Sequence, residues 1–487
     1  MIKKRKIYLS LLISAACVFI SSSVFAMSQA PNNSARARQL TVNLEGIFDA
    51  KVTLLPFKGL KTIKPIAEAA GVKEGKSVVI KIPVEYLPGE FLLRIDYRAK
   101  ESDHYYPAER IIYVNEEDIG LTVNPPYINN DEKTKFNSGE KENTVYGVFM
   151  KENSAKRMPI DLLRQLLLSY DLPKSEFYAQ AVKEFESRRI KYNAWLKDQA
   201  RVYKKLYVSR LFQFQYIPAV SWSGDEFERL NQILKNYFEG IDFSDPLIIR
   251  SREFSRFMDI YMGLYGAQAK TAESRDALFT QAGRVACEKA SFADPRVYGW
   301  MVDYFYTGYE TYNIKDGMIM LQEHINNPKC LTSKKEQIIQ RLEGMRKLIP
   351  GANAPDFVLS DKQADDFQFH KWVPKARYKL LLFWTTTCAD CLELVNELSQ
   401  WYNQPANKNK ADIITVNLDE AQIGVEKWKF AIKPLSAWKN LQAKGGVNSP
   451  VARAYAILST PVMFLVDSKS NKIVSVPETF EKFKKEL

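Results

Sequence analysis

The chain has 487 residues, a formal net charge of +12 and 46% hydrophobic residues, and its length is typical of about two to four globular domains. Basic and acidic residues alternate, and no basic block is interleaved with aromatics, so the charge indicates solubility and excludes a nucleic-acid-binding surface. The three histidines, His104, His324 and His370, lie in separate regions, which argues against a zinc site.

The N-terminus has the pattern of a targeting segment. Residues 1–26 combine a basic start, an apolar stretch and a closing small residue, which is typical of a secretory signal peptide cut before Met27. The segment Ile7–Ala26 is also long enough for an uncleaved membrane anchor. Lipidation of Cys17 is disfavoured, because Ser14 stands where lipoprotein signals carry a leucine-like residue. We therefore expect a periplasmic protein, with N-terminal or peripheral membrane association as the alternative.

Residues 39–123 carry a β-strand pattern. Apolar and polar side chains alternate in "GEFLLRIDYRA" and in "SVVIKIPVEY", and Pro-Gly, Gly and Asn-Pro-Pro separate the short runs. The residues on the apolar faces of these two runs are Val78, Ile80, Ile82, Phe91, Leu93, Ile95 and Tyr97. Because one face of each strand is apolar, the pattern predicts an antiparallel β-sandwich.

The middle of the chain changes to a helical pattern. Residues 124–157 are polar and turn-rich, which predicts a linker that holds at most one strand, at Thr144–Met150. Residues 158–349 show apolar stripes of helical period, such as Ile338 and Leu342, and are predicted to form an α-helical domain. Its many aromatics, as in "YGWMVDYFYTGYETY", either line a binding groove or form the core, and their helical spacing favours the core.

Four cysteines follow the targeting segment: Cys287, Cys330, Cys388 and Cys391. In an exported protein such residues are able to oxidise. Cys287 and Cys330 either form a structural disulfide or remain unpaired buried thiols. No stripe or spacing places them together, so the second interpretation is favoured.

Residues 350–487 alternate strands and helices. The predicted strands are "YKLLLFW", "ADIITVNL", "VMFLVD" and a hairpin partner "KIVSV", and the predicted helices are "ADCLELVNELSQWYN", "AQIGVEKWKFAI" and "ETFEKFKKEL". This order predicts a mixed α/β sheet with crossover connections. In the first of these helices, Leu392, Val395, Leu398 and Trp401 are expected on the inner face.

The sequence Cys388-Ala389-Asp390-Cys391 lies where a buried strand meets the start of a helix. At that place Cys388 meets free backbone amides and the positive end of the helix dipole, and both favour a thiolate. A thiolate is the species that attacks a disulfide. Cys391, one helical turn later, is then placed to resolve the mixed disulfide. The pair therefore indicates redox chemistry.

The C-terminal 138 residues resemble the TlpA/ResA-like family of extracytoplasmic thiol–disulfide oxidoreductases, which have a thioredoxin fold. The motifs that carry the resemblance are "GANAPDF", "LLLFWTTTCADC" and "VARAYAILSTPVMFLVD". It implies that Cys388 attacks, that Cys391 resolves, and that Thr460 and Pro461, joined by a cis peptide bond, position an incoming extended peptide. The β-sandwich and the helical region then resemble the accessory domains of larger exported members.

The family resemblance also implies what the protein works with. The electrons reside in the dithiol, so no bound cofactor and no metal are expected. The implied partners are disulfide-bearing envelope proteins as substrates and a membrane-embedded thiol donor that reduces the dithiol again. The function predicted from the sequence is thus an enzyme that exchanges, and in particular reduces, disulfides of envelope proteins.

Two positions depart from the family pattern. Thr387 replaces the usual tryptophan before the first cysteine, and Asp390 replaces the usual proline. The buried acid of ordinary thioredoxins is also missing, since Leu382 stands at its place. Asp390 either favours the helix dipole as a first-turn acid, or tunes the ionisation of the two sulfurs. Trp384 is expected to pack under the site and to contribute to that tuning.

Two other functions remain open from the sequence. A peroxiredoxin-type peroxidase is disfavoured, because Leu381 occupies the proline position of its motif although Thr385 matches the threonine. The other alternative is an envelope-binding or scaffold protein whose redox pair is vestigial, since function resides in sites and not in folds.

Overall fold

The computed structural model describes residues 36–58, 61–62, 64–360, 366–407 and 409–487. It shows the predicted multidomain arrangement: a sheet-rich N-terminal region, a helical central region and a C-terminal α/β domain. The predicted signal peptide, the alternative anchor and Cys17 lie outside the described residues. Within the described ranges, no helix is both long enough and apolar enough to cross a membrane.

The N-terminal region consists of two sheets. The strands are β1 Arg38–Leu44, β2 Asp49–Lys58, β3 Lys61–Thr62, β4 Ala67–Lys73, β5 Ser77–Ile82, β6 Gly89–Arg98, β7 Tyr106–Val114, β8 Ile119–Val123 and β9 Lys135–Phe136. One sheet has the order β5-β1-β8-β9, and the other has the order β3-β2-β6-β7, with β4 also paired to β2. The pairs are antiparallel except β1 and β8, which run parallel with Leu40 beside Ile119.

The predicted apolar faces of this region are confirmed. The buried residues of the shared core include Val78, Ile80, Ile82, Phe91, Leu93 and Ile95. Val79, between two of them, faces outward and is 60% exposed, as the alternation requires. The parallel β1–β8 pair departs from the antiparallel pattern, because two strands so far apart in the chain have no hairpin to set their direction.

The central region is helical. Its helices are α1 Glu142–Ser169, α2 Glu176–Val202, α3 Glu226–Lys235, α4 Arg252–Gly266, α5 Ala272–Ala290, α6 Pro295–Tyr312, α7 Lys315–Ile325 and α8 Lys335–Lys347. The aromatic side chains of α6 that occupy the core are Tyr298, Trp300, Phe305, Tyr306 and Tyr309. The interpretation of the aromatics as core residues is therefore confirmed for these five, whereas Tyr304 and Tyr312 of the same helix line a cavity.

Helix α1 corrects the predicted linker. It begins at Glu142, inside the stretch 124–157, and the proposed strand Thr144–Met150 is helical. Val145 and Phe149, four residues apart, both pack into the helical core. The carboxylate of Glu142 accepts hydrogen bonds from the N–H groups of Tyr207 and Val208 at 2.9 and 3.0 Å. These tertiary contacts fix the helix start, and local composition did not show them.

The sandwich docks on the helical region through a buried acid. Glu90 of β6 is 2% exposed and accepts hydrogen bonds from Ser251 Oγ at 2.8 Å and from Arg252 Nε at 2.6 Å. Close by, Arg250 Nη1 donates to the carbonyl of Leu87 at 2.5 Å. Since a buried carboxylate needs such partners, this junction is specific.

The C-terminal domain is built on a mixed sheet of order β14-β13-β12-β15-β16. Its elements are β10 Val358–Leu359, β11 Phe367–Gln368, β12 Tyr378–Trp384, α9 Ala389–Tyr402, β13 Ala411–Asn417, α10 Gln422–Ala431, β14 Lys439–Gln442, α11 Pro450–Ala454, β15 Val462–Asp467, β16 Ile473–Ser475 and α12 Phe480–Lys485. The strands and helices predicted for this part are confirmed. The edge strand β14, helix α11 and the short β10–β11 hairpin were not predicted.

Strand β12 is the central strand and is buried on both faces. Leu381 and Phe383 pack on the side of α11, whereas Leu382 and Trp384 pack on the side of α9 and α12. A strand with no solvent-facing side has a nearly continuous apolar sequence, and for that reason the sequence predicts β12 clearly. Its end, at Trp384, leads directly into the cysteine pair.

Candidate redox site

The sheet topology brings three chain segments to one edge. Strands β12 and β13 are parallel, with Trp384 beside Asn417, so the segments that follow them leave the same edge. Strands β12 and β15 are antiparallel, with Phe383 beside Val462, so the segment before β15 arrives at that edge too. The residues carried there are Cys388 and Cys391 after β12, Asp419 after β13, and Thr460 and Pro461 before β15.

Cys388 is the N-cap residue of α9. Its Sγ accepts a hydrogen bond from the backbone N–H of Cys391 at 3.2 Å. Its thiol donates to the carbonyl oxygen of Thr460 at 3.5 Å. The side chain is partly exposed, so a substrate disulfide is able to reach it. A helix N-terminus favours negative charge, and Cys388 stands at that end of α9.

Cys391 lies behind Cys388 and is 0% exposed. Burial, and secondarily the neighbouring sulfur of Cys388, raises the pKa of Cys391 to about 12. At neutral pH this residue is therefore a thiol that solvent does not reach. The two sulfurs thus differ in access, which is a difference that an attacking and a resolving cysteine require.

Thr460, which precedes Pro461, contacts the sulfur of Cys388 through its carbonyl oxygen. The peptide bond between Thr460 and Pro461 is cis, which confirms that prediction. Both residues are partly exposed, and the hydroxyl of Thr460 lies 3.3 Å from the hydroxyl of Thr385. The carbonyl of Thr460 points to the sulfur of Cys388, so a peptide that approaches this backbone also approaches the reactive atom.

Trp384 is fully buried and packs in the same apolar cluster as Cys391. Among the described residues its indole nitrogen has no hydrogen-bond partner. Asp390 lies in the first turn of α9 with an exposed side chain, a position that fits the helix-dipole interpretation. Leu392 was expected on the inner face but is 45% exposed, because the buried face of α9 runs through Cys391, Leu394 and Leu398.

Asp419 is a site residue that the sequence reasoning missed. It is buried, and its Oδ2 atom accepts hydrogen bonds from Thr386 N, Thr386 Oγ1 and Asn417 Nδ2 at 2.8, 2.9 and 2.8 Å. Thr386 precedes Cys388 by two residues, so Asp419 ties the cysteine loop to the end of β13. The sequence signal that could have indicated Asp419 is its position directly after the predicted buried strand "ADIITVNL". In the structure this strand is β13, which pairs in parallel with β12.

The remaining cysteines and histidines lie elsewhere. Cys287 and Cys330 are free and buried in the helical core, and burial raises the pKa of both thiols, that of Cys330 to about 11. His324 Nδ1 lies 2.7 Å from the hydroxyl of Tyr298, and His370 Nε2 lies 2.7 Å from the carbonyl of Ala354. Across the described residues, no group of three or more metal-ligating side chains is present.

Part of the C-terminal domain matches a known family. A family model described as thioredoxin-like matches residues 376–473, which include both cysteines, Asp419 and the Thr460–Pro461 pair. The search of curated proteins found no match to the chain. The matched segment spans β12 to the first residue of β16, so it contains the central strands of the C-terminal sheet.

Several solved structures resemble part of the chain. A thioredoxin-like protein from Bacteroides caccae is 17% identical, with a TM-score of 0.36, over 55% of this chain and 95% of that one. The thioredoxin domain of a thiol–disulfide oxidoreductase from Bacteroides vulgatus is 26% identical, with a TM-score of 0.25, over 28% and 94%. A thiol–disulfide oxidoreductase from Bacteroides fragilis is also 26% identical, with a TM-score of 0.24, over 28% and 96%.

Proposed function

From the thioredoxin-like domain that residues 376–473 form, we propose that the protein is a thiol–disulfide oxidoreductase acting on disulfides of other proteins. One observation carries the proposal. Cys388 is a partly exposed helix N-cap whose sulfur contacts both the N–H of Cys391 and the carbonyl of Thr460, while the thiol of Cys391 is buried behind it. This is the arrangement that two successive thiol–disulfide exchanges need.

The first exchange begins with the thiolate of Cys388. It attacks one sulfur of the substrate disulfide, so a Cys388–substrate disulfide forms and the other substrate sulfur leaves as a thiolate. Cys391 then loses its proton and attacks Cys388 Sγ, which releases the second substrate sulfur. The products are a Cys388–Cys391 disulfide and a substrate dithiol, which has gained two electrons and, after protonation, two protons.

The backbone of Thr460 is proposed to hold the substrate during these steps. An extended peptide is able to pair with an exposed backbone edge, as in other cases of strand addition. Thr460 and Pro461 are partly exposed, and the Thr460 carbonyl lies 3.5 Å from Cys388 Sγ. A peptide held there presents its own cystine to the attacking sulfur, and proximity of this kind raises the rate strongly.

The proposed setting is the periplasm. The N-terminal signal pattern supports export, and the family resemblance suggests envelope proteins with disulfides as substrates and a membrane thiol donor that reduces the Cys388–Cys391 disulfide again. Cell fractionation tests the location. Thiol-trapping of the protein in cells tests the donor, since a reductase should be found mainly with both cysteines reduced.

The direct test is insulin reduction by the purified full-length protein with dithiothreitol as electron source. The proposal expects turbidity from the released insulin chains to develop faster than with dithiothreitol alone. The Cys388→Ser, Cys391→Ser double variant is the control and should match the uncatalysed rate. A wild-type rate equal to that of the control would contradict the proposal. Hydrogen peroxide consumption with the same donor tests the peroxidase alternative in parallel.

One observation favours the binding alternative. A cavity of about 860 Å³ lies between the sandwich and the helical region, and its aromatic lining includes Tyr113, Phe279, Tyr304 and Tyr312. A cavity of this size and composition is typical of ligand sites. If binding is the whole function, the double cysteine variant should complement a deletion strain as well as the wild type. If the dithiol acts, that variant should fail to complement.

A further inference from the structure

Helix α8 of the helical region lies against the segment that leads to Thr460. Arg341 Nη1 donates to the carbonyl of Ala456 at 2.7 Å. Gly344, one turn further along α8, approaches Ala456 so closely that a Cβ on the glycine would stand 2.1 Å from the Cβ of Ala456. Two groups of α8 therefore meet one residue that precedes Thr460 by four positions.

Ala456 is an unusual residue for its backbone conformation. Its φ is +49°, in the left-handed region that favours glycine. It follows α11 in a Schellman arrangement, where the N–H of Ile457 bonds to the carbonyl of Ala452 at 2.8 Å and the N–H of Ala456 bonds to the carbonyl of Arg453 at 3.0 Å. Glycine usually occupies this position, so an alanine here places its Cβ against Gly344 at a conformational cost.

Arg341 is itself held from the helical side. Its Nε lies 3.1 Å from Glu310 Oε1 of α6, and both side chains are mostly buried. Its Nη2 donates to Asn313 Oδ1, at the end of the same helix, at 3.4 Å. Burial raises the pKa of Glu310, and Arg341 opposes that shift. The planar guanidinium thus contacts Glu310 and Asn313 on the side of α6 and the carbonyl of Ala456 in the C-terminal domain.

The anchored residues and the substrate-facing residues are adjacent but differ in exposure. Ala456 and Ile457 are buried, whereas Thr460 and Pro461 are partly exposed. A buried anchor fixes the start of a short segment, and the end of that segment carries the carbonyl that lies 3.5 Å from Cys388 Sγ. A displacement of the anchor by the width of a methyl group would reach the carbonyl, because only three residues separate them.

We propose that helix α8 completes the substrate-binding side of the redox site, with Arg341 and Gly344 as positioning residues that set the Thr460 backbone relative to Cys388. This inference rests on the proposed oxidoreductase function and adds a role for the helical region in it. The hydrogen bonds that Cys388 Sγ makes among the described residues are with the N–H of Cys391 and the carbonyl of Thr460, and neither group belongs to α8. The effect of α8 is therefore on protein substrates that pair with the Thr460 backbone, and not on small disulfides that need only the sulfur of Cys388.

The test uses the full-length protein and two substrates, insulin and 5,5′-dithiobis(2-nitrobenzoate). Gly344→Ala should lower kcat/KM for insulin by about tenfold to a hundredfold, chiefly through KM, because a misplaced binding group costs that much. Its reaction with the small disulfide should stay within about twofold of wild type. The double variant Gly344→Ala, Ala456→Gly exchanges the two residues, so only one methyl group again lies between α8 and the segment before Thr460. It should restore the wild-type insulin kinetics.

A second variant, Arg341→Lys, tests the same inference independently, in case Gly344→Ala does not fold. Arg341→Lys keeps the charge beside Glu310 but loses the planar fork, so it should show the same split between insulin and the small disulfide. Equal insulin kinetics in wild type and variants would overturn the inference while the proposed function stands. Equal losses on both substrates, or no restoration by the double change, would also overturn it. A wild-type protein without insulin reductase activity would overturn the proposed function together with this inference.

Discussion

The Oδ2 atom of Asp419 accepts a hydrogen bond from the backbone N–H of Thr386 at 2.8 Å, two residues before Cys388. The same oxygen also accepts from the Thr386 hydroxyl and from Asn417 Nδ2. Three donors on one buried oxygen define where the cysteine loop leaves the sheet. A buried donor that loses its acceptor remains unsatisfied, so this carboxylate is expected to stabilise the loop.

Removal of this acceptor should loosen the site. We expect Asp419→Ala to lower the free energy of unfolding of the C-terminal domain by about 1–3 kcal/mol, because it leaves the Thr386 N–H and the Asn417 Nδ2 group without this acceptor, while the Thr386 hydroxyl keeps the carbonyl of Gly424 at 3.3 Å. Insulin reduction should fall with it, and amide hydrogen exchange at residues 386–388 should become faster. The matched control is Asp390→Asn, which removes an exposed carboxylate from the first turn of α9 and should change stability by less than about 0.5 kcal/mol. Equal changes in stability in Asp419→Ala and Asp390→Asn would contradict the view that Asp419 holds the cysteine loop.

The two sulfurs should differ in reactivity. Cys388 is partly exposed and caps α9, whereas Cys391 is buried with its pKa raised to about 12. Limiting iodoacetamide on the reduced protein should therefore label Cys388 first, as peptide mass spectrometry would show. The Cys388→Ser variant should be labelled slowly at Cys391, which separates burial from competition between the sulfurs. Prior or equal labelling of Cys391 would reverse the proposed roles.

The resolving step should depend on pH. Because burial, the main cause of the raised pKa of Cys391, persists when Cys388 is in a mixed disulfide, Cys391 remains mostly protonated between about pH 7 and pH 9. Its thiolate fraction, and with it the rate of resolution, should rise about tenfold per pH unit there. The second release of thionitrobenzoate after reaction with 5,5′-dithiobis(2-nitrobenzoate) reports this rate. Cys391→Ser should show the first release only, and a pH-independent second release would refute the expectation.

A buried lysine gives the domain a second pH dependence. Lys379 in β12 is 0% exposed, and its Nζ donates to the carbonyl of Phe369 at 2.9 Å and to Asn471 Oδ1 at 2.7 Å. Burial lowers its pKa to about 8, below the value of about 10.4 in an unfolded chain. Between these two values the unfolded state binds more protons at this lysine, so the contribution of Lys379 to stability should rise with pH, against the opposite contribution of Cys391 above its unfolded pKa of about 8.5.

The expected gain from Lys379 is about 1–3 kcal/mol between roughly pH 8 and pH 10. Urea unfolding of the wild type and of Lys379→Met at several pH values in this window measures it as the difference between the two stabilities. Lys379→Met keeps most of the volume without the charge, and Cys391 is present in both proteins, so the wild type should gain stability relative to the variant as the pH rises. A stability difference that does not change with pH would show that the ammonium is not penalised by its surroundings.

The site could be predicted from the sequence where its chemistry is local. The apolar run of β12, the helix start at Cys388 and the cysteine spacing are neighbours in the chain, and the resemblance added Thr460 and Pro461. Asp419 contacts Thr386 across 33 residues, and only the parallel pairing of β12 with β13 brings them together. Register of this kind follows from tertiary packing and leaves little local trace.

The fold shows the same division. The long apolar strands and amphipathic helices of the C-terminal domain were evident, but β14, with the sequence Lys439–Gln442, is too short and polar for its period to appear. The start of α1 depends on Glu142 reaching Tyr207, 65 residues away, and the contact from Arg341 to Ala456 spans 115 residues. Such long-range polar contacts are decided by the assembled structure.

The docking of Glu90 has a consequence for the order of synthesis. Its partners Ser251 and Arg252 lie 161 and 162 residues downstream, so the ribosome completes the whole sandwich well before they exist. Domains fold mainly as units from the N-terminus during synthesis. Until α4 emerges, the Glu90 carboxylate has to stay hydrated, because a bare charge is not buried without its partners. The face of the sandwich that carries Glu90 therefore stays hydrated while the chain is incomplete. Its docking on Ser251 and Arg252 is a late event in folding.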